Sequence, residues 1–157
     1  MCWVSGNARV YGDARVSGNA WVYGNALVHG DAQVSGSAWV CGNAHVYGNA
    51  RVYGNAEVSG AAHVYGDADV YGDARLKAGR WTVPPLVIQG TRHLVRVVAP
   101  WIVVIGCEEH EVGWWRMHAS EMAKRHGYTA VQIVEYNVLL DAAEQWMQAV
   151  LDVGIGG

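Results

Sequence analysis

"VYGNARVYGNAEV", residues 46–58, contains nearly the same six residues twice, and the pattern extends in both directions along the chain. Valine recurs at every sixth residue from Val4 to Val70, and Leu76 takes the next place in the register. Glycine lies two residues after each of these valines and alanine lies four residues after it, with no insertion or deletion. Twelve consecutive hexads therefore share one uninterrupted period.

Each hexad predicts one short strand and one corner. The Ala-x-Val-x part alternates small or apolar residues with variable ones, which is typical of a strand with one buried face. The glycine, usually followed by Asn or Asp, predicts a corner because these residues tolerate positive φ. A chain that turns after every six residues forms a parallel β-helix, and we expect only valine and alanine in its interior.

Hexads such as "ARVYGD", residues 8–13, resemble the hexapeptide repeat of left-handed parallel β-helices in the bacterial transferase superfamily. The resemblance covers residues 3 to about 77 and implies left-handed winding with three hexads in each triangular coil. The twelve hexads would then make about four coils. Residues 18 apart would stack in columns on three outward faces.

The first face carries an aromatic row that predicts an interface. Trp3, Trp21 and Trp39 fall in one column, with Tyr23 beside them on the same face. Exposed tryptophans in register mark association surfaces, so we expect a homo-oligomer, a dimer or a trimer. The first coil also lacks a polar cap in front of Val4, which favours association at that end. Alternatively, the C-terminal segment folds back over the row.

The second face is the only one on which imidazole, phenol and carboxylate groups converge. We predict a binding surface there for a small molecule or a partner protein. The alternative is that these side chains are ordinary cross-strand pairs on a sheet surface. The candidate residues are Tyr11, His29, Asp31, His45, Tyr47, His63 and Tyr65. The third face, with Arg15, Gln33, Arg51 and Asp69, has the composition of a solvated wall, and we predict no metal site.

The period stops after Lys77, and two prolines in "RWTVPPLVIQG" start a new segment. We place the β-helix at residues 1–79 and a small α/β module at residues 80–157. Strands are predicted at residues 86–89, 93–99 and 101–107, and a first helix at 111–127. Thr129 and Gln132 form a capping-box pattern. A second helix is predicted from about 130 to 151, where Val131, Val134, Val138, Ala142 and Trp146 recur at helical spacing.

Cysteine and histidine in "CEEH", Cys107 and His110, are followed by His118 and His126. No second close pair completes a zinc spacing, so a buried structural cysteine beside surface histidines is favoured over a metal site. The roles of these four residues are not defined by the sequence.

Charge and composition exclude several classes of partner. Eleven basic residues are scattered among 14 acidic ones, at a net charge of −3, so nucleic acid is not expected as a ligand. No apolar run of membrane-spanning length and no secretion signal are present, and no membrane association is expected. Three distant cysteines favour reduced thiols and therefore a cytoplasmic location.

Two functions remain open. The order "IQGTRH", "IGC", "GYT" and "EY", between residues 88 and about 136, resembles the C-terminal part of phage and prophage hexapeptide proteins, which implies a bacterial or viral cytoplasmic setting and no catalytic residue. The first function is a non-catalytic, self-assembling scaffold that binds a host protein or a small signalling molecule and needs no cofactor. The alternative, implied by the transferase resemblance, is an acetyl-coenzyme A-dependent acyltransferase in which His29, His45 or His63 acts as general base. No loop interrupts the repeats to form a coenzyme A cleft, so the scaffold is preferred.

Overall fold

Every hexad folds as a two-residue strand followed by a turn, in a computed structural model that describes residues 1–150. Fourteen such strands make up the first compact unit, Met1–Pro85. The strands are β1 Trp3–Val4, β2 Arg9–Val10, β3 Arg15–Val16, β4 Trp21–Val22, β5 Leu27–Val28, β6 Gln33–Val34, β7 Trp39–Val40, β8 His45–Val46, β9 Arg51–Val52, β10 Glu57–Val58, β11 His63–Val64, β12 Asp69–Val70, β13 Arg75–Leu76 and β14 Arg80–Trp81.

The strands pair into three parallel sheets, because every third strand lies beside its predecessor. Their orders are β1-β4-β7-β10-β13, β2-β5-β8-β11-β14 and β3-β6-β9-β12. Partners are 18 residues apart through the hexads, as with Trp3 opposite Trp21 and Val4 opposite Val22. The predicted parallel β-solenoid of about four coils is confirmed, and so is the stacking of residues 18 apart.

Backbone approach at the corners explains why glycine recurs there. Gly36 has φ +67°, and a Cβ built on it would lie 2.9 Å from the backbone nitrogen of Gly54 in the next coil. The same corner is held by hydrogen bonds from the Asn19 amide to the Gly36 carbonyl, 2.7 Å, and from the Ser37 amide to the Gly54 carbonyl, 2.8 Å. Neither a side chain nor an ordinary φ fits this turn.

The interior is filled by the valines and alanines from Ala20 onward, which are inaccessible to solvent up to Val70. Two differences from the sequence expectation occur at the ends. Val4 is 48% exposed, and Val10 and Val16 are only partly buried, because no coil stacks beneath them. At the other end the interior also holds Leu76 and Trp81, which are 0% and 1% exposed and take the places of valines.

Trp81 enters the interior because the last repeat is one residue shorter than a hexad. Its strand pairs with β11, so that Val64 lies opposite Trp81 and His63 lies opposite Arg80. The indole Nε1 donates a hydrogen bond to the Ala78 carbonyl at 2.9 Å. The solenoid pairing therefore continues beyond residue 79.

The second compact unit begins at Leu86 and contains an antiparallel sheet and two helices. The sheet runs β15 Val87–Gln89, β16 Leu94–Ala99, β17 Ile102–Ile105 and β18 Glu108–Glu111 in that order, and the helices are α1 Val112–Arg125 and α2 Ala130–Val150. Strand β18 was not predicted, since "EEHE" has no apolar alternation. The predicted helix end at residue 151 lies outside the described residues.

Helix α2 begins with the predicted capping box. The Gln132 amide donates to Thr129 Oγ1 at 3.2 Å, and the Thr129 amide donates to Gln132 Oε1 at 3.0 Å. The residues that carried the helical periodicity are not those that the helix buries, because Val131 and Val134 are 79% and 64% exposed. The buried positions are Tyr136, Leu140, Ala143 and Met147.

Candidate functional site

The three tryptophans of the first face form an indole ladder, the name used here for Trp3, Trp21 and Trp39. Consecutive ring centroids are 6.0 and 5.9 Å apart, with interplanar angles of 23° and 26°. The residues are 51%, 42% and 46% exposed. Because each ring face lies against the next ring, the ladder presents mainly ring edges to its surroundings.

Tyr23 lies beside the indole ladder and contacts Trp39, its third ring. Its ring meets Trp39 edge to face, with centroids 6.2 Å apart. A side-chain hydrogen bond with Cys41, together with partial burial, raises the pKa of Tyr23 to about 12. The phenol therefore stays protonated at neutral pH, and this part of the face remains uncharged.

Above the indole ladder the same column becomes charged. Glu57 lies opposite Trp39 and Arg75 lies opposite Glu57 in the parallel register. Arg75 Nε is 3.8 Å from Glu57 Oε2. The column is thus aromatic at its first three levels and carries an ion pair at the next two.

The second face carries an aromatic column that the sequence predicted. Tyr11, His29, Tyr47 and Tyr65 stack with centroid distances of 4.9, 5.1 and 5.1 Å and interplanar angles below 10°. Arg80 closes the column, with its guanidinium carbon 5.3 Å from the Tyr65 centroid. Sequence analysis missed Arg80 because the shortened last repeat breaks the six-residue register.

A pair of imidazoles stands beside this column. His45 and His63 are paired across β8 and β11, with ring centroids 4.5 Å apart. Burial lowers the pKa of His63, and the nearby His45 and Arg80 lower it further. Asp31, the remaining candidate, is exposed at its corner. The structure thus brings the candidate imidazoles and phenols into one flat array, while their binding role stays a prediction.

Two histidines of the second unit, His110 and His126, approach the same carboxylate, that of Glu108. Trp114 is stacked between His110, at 3.6 Å, and His118, at 4.3 Å, so these two imidazoles lie on opposite faces of one indole. Cys107 is exposed, which contradicts the expected buried cysteine, because it lies in the turn between β17 and β18. His126 Nε2 lies 3.8 Å from Glu108 Oε1, and His110 Nε2 lies 3.5 Å from Oε2 of the same carboxylate.

Within residues 1–150, no cluster of three metal-ligating side chains occurs. Over the same residues, no helix is both long enough and apolar enough to cross a membrane.

The geometry defines a β-solenoid repeat protein with an α/β module of two helices and a four-stranded antiparallel sheet. The sequence family model of the YdcK β-solenoid repeat matches residues 4–18, 8–24, 14–30, 20–36, 44–60 and 50–66. These matches fall entirely within the first unit. No curated protein and no solved structure matches the chain.

Proposed function

We propose that this protein is a non-catalytic scaffold that assembles with copies of itself through the indole ladder. The proposal is carried by one observation, the exposure of three consecutive stacked tryptophans at 51%, 42% and 46%. A contiguous apolar surface of this kind costs free energy in water and is typical of association sites. Burial of the ring edges against another copy removes that cost.

The stacking geometry favours a protein partner over a flat ligand. At centroid distances near 6 Å, the rings leave no gap in which a planar molecule can insert. Ring edges in a row suit instead the edges of a second row, where aromatic pairs pack edge to face. Because each ring is stacked on its neighbour, little side-chain freedom is lost on association.

The charged end of the column determines how copies align. Side-by-side copies running in the same direction place indoles against indoles and the Glu57–Arg75 pairs at one level. Copies running in opposite directions place Trp3 at the level of Arg75, where an apolar edge meets a guanidinium. We therefore expect a two-fold or three-fold axis parallel to the solenoid axis, which gives a dimer or a trimer.

Light scattering after size exclusion tests this proposal. We expect wild-type protein at micromolar concentration to have the mass of a dimer or trimer. Trp21→Glu, in the middle of the indole ladder, should give the mass of a monomer, because a buried carboxylate without a partner opposes association.

Tyr71→Glu provides the matched control. Tyr71 is also a stacked aromatic residue: it is 53% exposed, and its ring centroid lies 5.5 Å from that of Tyr53. It lies, however, on the third face. This variant should keep the wild-type mass. A monomeric wild type, or equal loss of mass in both variants, would refute self-association through the indole ladder.

The setting of the scaffold is proposed on the resemblances rather than on the fold. The likeness of residues 88 to about 136 to phage and prophage proteins supports a bacterial cytoplasm as its location. In that setting the assembled solenoid would present several copies of the second unit or the second face to a host protein or a small signalling molecule. Mass spectrometry of material that co-purifies from bacterial cells identifies such a partner.

A further inference from the structure

The second unit contains a cavity of about 90 Å³ that the sequence did not reveal. It lies between the β17–β18 turn, α1 and α2. All residues that line it belong to this one unit. They include Ile105, Glu108, Trp115, Ala119, Ala123 and Leu140.

The floor of the cavity is apolar. Ile105, Trp115 and Leu140 are 8%, 4% and 1% exposed. The only polar atom of the Trp115 side chain, Nε1, donates to the Val103 carbonyl at 3.0 Å, so the indole offers carbon atoms to the cavity. Ala119 and Ala123, one helical turn apart on α1, leave the space open because their side chains are short.

One carboxylate lies among the lining groups, that of Glu108, whose side chain is 36% exposed and whose ion-pair partners within residues 1–150 are two imidazoles. Glu108 Oε1 is 3.8 Å from His126 Nε2, and Oε2 is 3.5 Å from His110 Nε2. Both distances exceed those of good hydrogen bonds, and a carboxylate accepts several donors. Two guanidiniums of this unit have partners of their own. That of Arg92 lies over the Tyr128 ring at 4.7 Å and donates to the carbonyls of residues 126 and 127, and that of Arg96 donates to the Gly106 carbonyl at 3.3 Å.

We infer that this cavity binds a small primary amine, with its alkyl group on the apolar floor and its ammonium at Glu108. An apolar cavity of about 150 Å³ accommodates benzene, so the volume of about 90 Å³ here suits the three-carbon end of a branched alkyl chain, whose remainder leads to the partly exposed Glu108. The ammonium replaces water at Glu108 with a charge-assisted donor. The inference does not rest on the proposed self-association, because the indole ladder belongs to the first unit.

Three molecules of nearly equal shape test the chemistry: isopentylamine, 3-methylbutan-1-ol and isovalerate. Binding to the full-length protein is followed by the Trp115 indole N–H resonance in NMR spectra, assigned with Trp115→Phe. We expect isopentylamine to shift this resonance at millimolar concentration. The alcohol should bind about tenfold more weakly, because a charge-assisted hydrogen bond is lost, and isovalerate should bind more weakly still.

Variants distinguish the contribution of the Glu108 carboxylate to binding from that of the apolar floor. Glu108→Gln should reduce the affinity for the amine to that for the alcohol. Ala119→Leu should abolish binding of both by filling the cavity, whereas Ser120→Leu, on the exposed side of α1, should leave binding unchanged.

Three results would overturn the inference: no shift with the amine, isovalerate binding as tightly as the amine, or unchanged affinity in Ala119→Leu. Should Ala119→Leu fail to fold, Glu108→Gln decides alone, because it leaves the floor of the cavity intact. Self-association is read from the mass, so failure of either proposal is distinguishable from failure of the other.

Discussion

Replacing two corner glycines with alanine separates the cost of an unusual φ from the cost of close coil stacking. Gly36 and Gly72 have similar φ values, +67° and +62°. A Cβ on Gly36 meets the Gly54 backbone at 2.9 Å, whereas a Cβ on Gly72 meets no described atom within 4 Å. The pair is therefore matched in conformation and differs in the presence of a coil above.

The expected magnitudes follow from this difference. Gly72→Ala should cost about 1 to 2 kcal/mol, the penalty of an L-residue in the left-handed region. Gly36→Ala incurs the same penalty and also pushes two coils apart. The two corner hydrogen bonds, Asn19 to Gly36 and Ser37 to Gly54, are each worth about 1 kcal/mol. We expect a total of about 3 to 4 kcal/mol for Gly36→Ala.

Hydrogen exchange read by mass spectrometry measures these costs locally, without interference from the second unit. Each variant is compared with wild type. The exchange rate should rise roughly 30-fold more for amides within residues 30–60 in Gly36→Ala than for amides near residue 72 in Gly72→Ala, since about 2 kcal/mol separates the costs of the two substitutions. Equal acceleration in the two variants would show that only φ matters. The explanation of the glycine period by coil contact would then be wrong.

Three further predictions concern single side chains. Trp81→Ala should lower the free energy of unfolding of the solenoid by about 3 to 5 kcal/mol, measured by hydrogen exchange, because it empties the last coil; a loss below about 1 kcal/mol would contradict its role as a core residue. The pKa of His63 is lower folded than unfolded, so its stabilising contribution is present above the ordinary pKa near 6.5 and is lost as pH falls through the folded value. The melting temperature should therefore fall more below pH 6.5 in wild type than in His63→Gln, and parallel pH profiles of the two proteins would argue against this. Tyr136→Phe should cost about 1 to 3 kcal/mol in urea denaturation, since the Tyr136 hydroxyl accepts from the amides of Arg92 and His93; an unchanged midpoint would mean that water replaces it.

The solenoid was predictable because its register is local. Once Val4, Val10 and their successors define a six-residue period, the positions of Trp21 over Trp3 and His63 over His45 follow from winding alone. The departure at Trp81 was not predictable, because a repeat shortened by one residue no longer matches the template, although the indole still fills the place of a valine.

The second unit was harder to predict because α2 has apolar residues on an exposed side as well as on its buried side. On α2, valines at helical spacing gave the right element, but the side that packs was decided by tertiary contacts with β16 and α1. Its cavity residues come from distant points in the sequence, as Glu108 and His126 do. No local pattern connects a strand residue to the residue that follows a helix.

The unbroken period gives the solenoid a modular length. Excision of residues 19–36 removes one whole coil and leaves every remaining side chain on its original face. Excision of only six residues leaves an equally regular backbone but moves all later residues to the neighbouring face, so that Trp39 would lie above a different column. Evolution can therefore lengthen or shorten the solenoid in steps of three hexads while each face keeps its stacked residues. Insertion or deletion of a single hexad changes which residues share a face, although the core is preserved.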